Sequence, residues 1–189
     1  SIDIKCYDTD SKNGLDLLLQ AYAHVYDNIE EYLLLVDDNN NIKYNQVFLQ
    51  MFLEYLGSFE NEFFINLYTS KKRFFKSSSD DPYEQEMHRI DNLQFPIKND
   101  INLGKGQVDE WKFRYYKKHY FCETNQKEII EQACFKYFEG LVWVANYYFN
   151  KCASWNWYYP FDHAPFISDM AIFFKKYNMD ETKFVIGEA

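Results

Sequence analysis

Positive charge is scarce in this sequence. Twenty Lys and Arg stand against 29 Asp and Glu, a formal net charge of −9. A protein that binds nucleic acid unaided is usually basic, because phosphate contacts dominate its affinity. The balance therefore argues against autonomous binding and leaves room for an acidic module that adds a few contacts to a channel built elsewhere. Cysteine is sparse as well: Cys6, Cys122, Cys134 and Cys152 form no CxxC pair and match no zinc spacing. In a chain of this length they read as reduced thiols of an intracellular protein. No apolar run approaches the roughly 18 residues that read as a transmembrane helix, so no membrane partner is expected. A convergent cluster of metal-binding groups is missing too. Asp37/Asp38 and Asp80/Asp81 sit in turn-like stretches, Asp8-Thr9-Asp10 has no convincing strand before it, and His24, His88, His119 and His163 are far apart. Gly104-Lys105-Gly106 lacks the rest of a phosphate-loop fingerprint and reads as a local turn. Taken as an isolated catalyst, the chain offers no site; the expectation is no catalytic and no metal-binding residue within it.

What it has in abundance is rings. Its 17 Tyr, 18 Phe and 4 Trp make up 21% of the 189 residues, within a hydrophobic fraction of 47%. That fraction supports a substantial core and excludes a disordered chain. Most of the rings read as core, since Phe and Tyr bury large areas at low entropic cost.

Periodicity makes the class mainly α. Leu15, Leu18, Leu19, Tyr22, Val25 and Ile29 recur at helical steps within residues 15–35, with Leu33 to Leu35 as a short buried run at the end. Asp37 to Asn41 is a turn. A helix is expected over 43–56, paused at Gly57-Ser58 and resumed or restarted from Phe59 to Tyr68. Residues 69–110 read as a loop or insert region with at most a short helix at 83–91, because Lys, Arg, Ser, Asp and Pro interrupt the pattern. The clearest helix covers 126–150, where Ile130, Ala133, Cys134, Tyr137, Leu141, Val144, Ala145 and Tyr148 trace one face. A short helix is expected over 168–178, with Asp169 near its start, where negative charge suits the dipole. The stretch Lys183 to Ile186 looks extended.

Two segments carry unusual chemistry. Residues 109–122 (DEWKFRYYKKHYFC) are aromatic and basic together. They read either as phosphate contacts through Arg114, Lys117 and Lys118 or as a helix whose Lys side chains reach water over buried rings. Residues 154–165 (SWNWYYPFDHAP) place four large aromatics within five positions, bounded by Pro160 and Pro165, which exclude a continuous helix. Trp155 and Trp157 alternate, so extended backbone would point both the same way. One reading is a stacking platform for bases; the other is a plug for the core beneath the long helix. Composition favours the plug.

The run GLVWVANYYFNKCASWNWYYPFDHAPFISDM, Gly140 to Met170, resembles the second homology block of the Xrn 5′→3′ exoribonucleases. Phe113 to Phe121 is similar to a segment of the cytoplasmic branch of that family, and residues 31–33, 56–64 and 184–187 fit it more loosely. The chain differs from the family pattern at Asp162-His163, where the family has His-Tyr before Ala-Pro. The resemblance implies that residues 1–189 are a fragment of that block, an irregular helical segment with long loops that packs against a catalytic α/β nuclease block absent from this chain. It implies an enzyme that degrades single-stranded RNA bearing a 5′-monophosphate, in the cytoplasm with the nucleus as the other location. Mg²⁺ would be bound in the full-length enzyme by carboxylates preceding residue 1, and the N-terminal catalytic block would be a partner. The Trp-bearing loop would close the active site and stack on the 5′ nucleotide. The residues it nominates for nucleic-acid binding are Trp155, Trp157, Tyr159 and His163, joined by Arg114 and Lys117 from the basic segment. The fragment alone would be inactive. The alternatives are a non-enzymatic RNA- or protein-interaction scaffold and an inactive, divergent family member.

Overall fold

A computed structural model describes residues 14–37, 42–74, 80–91 and 101–177, leaving aside the side chains of 70–74 and 88–91. Among these residues there are six helices and one two-stranded sheet. The chain divides into two compact units, residues 1–60 with 124–189, and residues 61–123.

The larger unit begins with α1 (Gly14–Ile29), which buries Ala21 and Val25. The helix stops sooner than its leucine pattern predicts. Glu30 adopts a left-handed φ of 54°, costly for a residue with a Cβ, and the chain turns out of the helix there. The run at Leu33 to Leu35 is therefore not helical but leads into β1 (Leu34–Val36), paired antiparallel with β2 (Ile42–Tyr44). A short apolar run satisfies a strand as well as a buried helical turn, and periodicity cannot separate them. The intervening Asn-rich turn lies largely outside the described residues. The Tyr44 phenol donates to the Leu141 carbonyl at 3.1 Å, and burial pushes its pKa up to about 12.

The expected helix at 43 starts three residues later, as α2 (Gln46–Phe74). Asn45 sets the start. Its Oδ1 accepts from the Val47 and Phe48 backbone N–H groups, both at 3.1 Å, and its Nδ2 donates to Glu31 Oε2. Such a cap contributes about 1 kcal/mol. Nor does the helix pause at Gly57-Ser58. The glycine serves packing instead: a Cβ there would lie 3.2 Å from the Ser168 Cα of a later helix. The helix also runs to Phe74, into the stretch expected to be a loop.

Two further helices close this unit, α5 (Gln126–Phe149) and α6 (Ile167–Phe174). Leu49 and Leu53 of α2, Cys134 and Phe138 of α5, and Met170, Ala171 and Phe174 of α6 form its core. The charge at the α6 N-terminus comes from α2 as well as from Asp169. Glu60 accepts from the Ile167 backbone N–H at 2.8 Å and from the Ser168 hydroxyl. An N-terminus offers unsatisfied donors and a positive dipole end, so a carboxylate suits it.

The smaller unit holds the end of α2, α3 (Pro82–Asp91) and α4 (Val108–His119). Asp81 accepts from the Tyr83 backbone N–H at 2.9 Å, and Pro82 occupies the first helical position, which needs no N–H partner. The expected turn at Gly104-Lys105-Gly106 is present, with φ of 81° and 86° at the two glycines. A Cβ on Gly104 would fall 2.0 Å from the Phe64 carbonyl oxygen, so that position admits glycine alone. Trp111 is fully buried with its ring 5.1 Å from that of Phe64. The extended stretch expected at 183–186 lies outside the described residues.

Candidate nucleic-acid interface

The aromatic segment follows α5 as an irregular, bent loop over residues 151–166, as its prolines require. It is clamped to the helix it leaves. Trp143 Nε1 donates to the Ser154 carbonyl at 2.6 Å, which anchors the entry. Trp157 lies across Gly140, close enough that a Cβ on that glycine would come 2.6 Å from its Cη2 atom. The same indole stacks on Trp143 at 6.1 Å and 22°, and Trp143 stacks on Tyr147 at 5.3 Å and 8°. Trp157 Nε1 makes a long 3.5 Å contact to Glu139 Oε2, a carboxylate that also pairs with Lys136 at 2.6 Å.

The two tryptophans therefore part company. Trp157 is half-buried, while Trp155 is 68% exposed, between the two anchored positions. Extended backbone would have pointed both the same way; the loop bends at residues 155 and 156, and the alternation is lost. Trp143 is half-buried through its role as the anchor. Tyr159 folds back: its ring meets Tyr137 edge-on at 5.6 Å, and its hydroxyl donates to the His163 carbonyl at 3.0 Å. That bond uses the backbone of residue 163, so it makes no demand on whether Tyr or His stands there. Asp162 and His163 are both exposed. Tyr147, Tyr148, Phe149 and Tyr158 add further exposed rings.

In the basic segment, Arg114 is spent on the fold. It donates to the carbonyls of Ile101 at 2.7 Å, Asn102 at 3.1 Å and Lys105 at 2.6 Å, holding the glycine turn against α4. Lys117 pairs with Glu123 at 2.7 Å on the surface. Lys117 and Lys118 are exposed in the last turn of the helix, where positive charge complements the dipole. Trp111 and Tyr116 are buried beneath. Arg114 and Lys117 belong to the smaller unit, the loop residues to the larger.

A groove of about 500 Å³ against α5 and α6 is lined by Lys127, Ile130, Glu131, Asp169, Ile172, Phe173, Lys176 and Tyr177. It contains no loop residue and balances two cations against two anions, which does not suit phosphate. Among the described residues, no three His, Cys, Asp or Glu side chains gather to hold a metal ion, and no helix is long and apolar enough to cross a membrane.

Sequence reasoning passed over Glu139 and Gly140. A carboxylate within an apolar stretch of helix and a glycine in mid-helix were the signals that could have found them; the structure leaves Glu139 only 9% exposed.

A largely helical fold with an aromatic loop clamped to α5 defines the class. Residues 89–185 match the Xrn1 helical domain, and the chain belongs to that family. It is similar to the 5′-3′ exoribonuclease 2 of Gallus gallus, 49% identical over 59 residues, covering 31% of this chain and 6% of the relative. The 5′-3′ exoribonuclease 2 of Candida albicans is 31% identical over 129 residues, covering 64% and 12%. The 5′-3′ exoribonuclease 1 of Saccharomyces cerevisiae is 29% identical over 119 residues, covering 55% and 8%. The chain thus spans 6 to 12% of the length of these relatives.

Proposed function

We propose that this chain is a segment of a 5′→3′ exoribonuclease acting on single-stranded RNA with a 5′-monophosphate, and that its loop 151–166 closes over the active site with Trp155 stacked on the 5′ nucleotide. One observation carries the assignment to Trp155: its indole is open to solvent while both its neighbours in the motif, Ser154 and Trp157, are tied to α5. A ring on a fixed base is suited to stacking because little order must be created when the base arrives. Stacking tolerates every base, as a processive degrader requires, and contributes about 1–3 kcal/mol per base. A pocket closed by one ring admits one unpaired nucleotide, which disfavours duplex ends by size.

In this reading the segment positions RNA and does not cut it. Mg²⁺ would be bound by carboxylates outside residues 1–189, in an N-terminal catalytic block, and would stabilise the charge that develops on the scissile phosphate. Any phosphate contact from α4 falls to Lys117 and Lys118 rather than Arg114. In this reading the enzyme works in the cytoplasm, with the nucleus as the other location. In the full-length protein, Trp155→Ala is expected to slow decay of 5′-monophosphorylated single-stranded RNA by roughly 5- to 100-fold, the loss of one stacked base. An unchanged rate in a correctly folded variant would remove the stacking assignment.

A further inference from the structure

Resting on the stacking role proposed for Trp155, we infer that Glu139 and Gly140 of α5 are positioning residues for that ring, acting through Trp157. Neither belongs to the loop, and neither is near enough to Trp155 to be read as part of a base platform from sequence alone.

The geometry is a stack built on a missing side chain. At Gly140 the Trp157 ring takes the space of a side chain, since a Cβ would sit 2.6 Å from Cη2 and 3.4 Å from Cζ2. Real Cβ contacts do not reach 2.6 Å, so any other residue must lift the indole. A mid-helix glycine costs roughly 0.5–1 kcal/mol relative to Ala, so it needs a packing reason, and the indole supplies one. Glu139 borders the same ring. Its carboxylate is nearly buried, anchored by Lys136 at 2.6 Å, and its Oε2 faces the indole N–H at 3.5 Å. The N–H contact is long, so Glu139 orients the ring while Gly140 sets its depth. Beyond Trp157 the stack continues to Trp143, whose N–H holds the Ser154 carbonyl. The loop is thus pinned at 154 and 157, and only two residues separate the pins. Lifting Trp157 shifts one pin and re-aims Trp155 without touching it.

The test uses the full-length enzyme and two 5′-monophosphorylated RNAs, one ordinary and one with an abasic first nucleotide. The readout is the ratio of their decay rates. A folding defect lowers both rates together and leaves the ratio alone; a mis-aimed ring lowers the ratio. Gly140→Ala is expected to bring the ratio down toward that of Trp155→Ala, a fall of roughly 5- to 100-fold. The double variant Gly140→Ala/Trp155→Ala is expected to show no further fall. Glu139→Ala should lower the ratio less, with part of the loss restored in Glu139→Gln, whose amide oxygen still accepts from the indole. If Gly140→Ala is too unstable to assay, the Glu139 pair decides on the same ratio. A wild-type ratio in Gly140→Ala, or in both Glu139 variants where Gly140→Ala cannot be assayed, while Trp155→Ala lowers it, overturns the positioning role and spares the stacking one. A wild-type ratio in Trp155→Ala overturns both.

Discussion

The loop after α5 and the helix α4 are both rich in rings, and both were candidates for contact with RNA, yet the fold treats them in opposite ways. In α4 Trp111 and Tyr116 face inward and are buried, with Phe113 left exposed, and the arginine among them is bound to three backbone carbonyls. In the loop the large rings are divided between a stacked, half-buried set and an exposed one, with Trp155 at 68% exposure. The difference lies in what the backbone leaves for the side chain to do. A helix offers one face to the core, and its aromatic residues fill that face. An irregular loop satisfies its own anchoring with a few residues and can hold the next ring out. Aromatic richness alone is therefore a poor guide to a binding surface; the useful signal is an exposed ring beside anchored neighbours.

The sharpest way to break the contrast is to delete one tryptophan from each region. Trp111→Ala is expected to destabilise its unit by about 3–5 kcal/mol, the usual cost of removing a buried large ring. Trp155→Ala should leave stability within about 0.5 kcal/mol of the parent. Denaturant melts of the two variants check this, and equal losses would mean that Trp155 is packed rather than presented.

Arg114→Ala comes next. Removing it leaves the carbonyls of residues 101, 102 and 105 without these donors, and a loss of about 1–3 kcal/mol is expected. The dependence of RNA affinity on salt should not change. A salt slope lowered by about one phosphate contact, with stability intact, would instead place Arg114 on the RNA.

The smallest expected effect is at Lys117. The adjacent ammonium holds the Glu123 carboxyl below its ordinary pKa, through a hydrogen bond and by charge. A depressed folded pKa stabilises the native state above the unfolded pKa, and that contribution fades as pH falls through the folded one. Lys117→Ala should therefore lower Tm slightly at neutral pH and not at all in acid below the depressed Glu123 pKa, and salt should erase the difference. A larger loss that persists in acid would show that the lysine stem, not its charge, supports the helix.

Much of the helical frame was legible beforehand. The long helix over 126–149 was readable because helical spacing over many residues has few other solutions, although Val144 and Tyr148 of the expected face are exposed and Phe138, outside it, is buried; the short helices at 83–91 and 168–178 were found close to their places. The hairpin was missed because Leu33 to Leu35 and Lys43 to Tyr44 are too short to show a period, and because the cap at Asn45 draws on Glu31 across the hairpin. Gly57 was taken for a helix break because a glycine's packing partner, here Ser168, is invisible along the chain.

By itself, the sequence determined that the chain is mainly helical, that a Pro-bounded aromatic stretch cannot be helical, and which family the chain resembles, because each follows from residue type and spacing alone. Only the tertiary structure decided which tryptophan is presented, what occupies Arg114, and why residue 140 lacks a side chain. Those answers depend on partners brought close by folding: the Gly140 that receives Trp157 is 17 positions before it, and the Ile101 carbonyl that Arg114 holds is 13 away. Spacing predicts the direction of a side chain only while the backbone is regular, and the loop that matters most here is not.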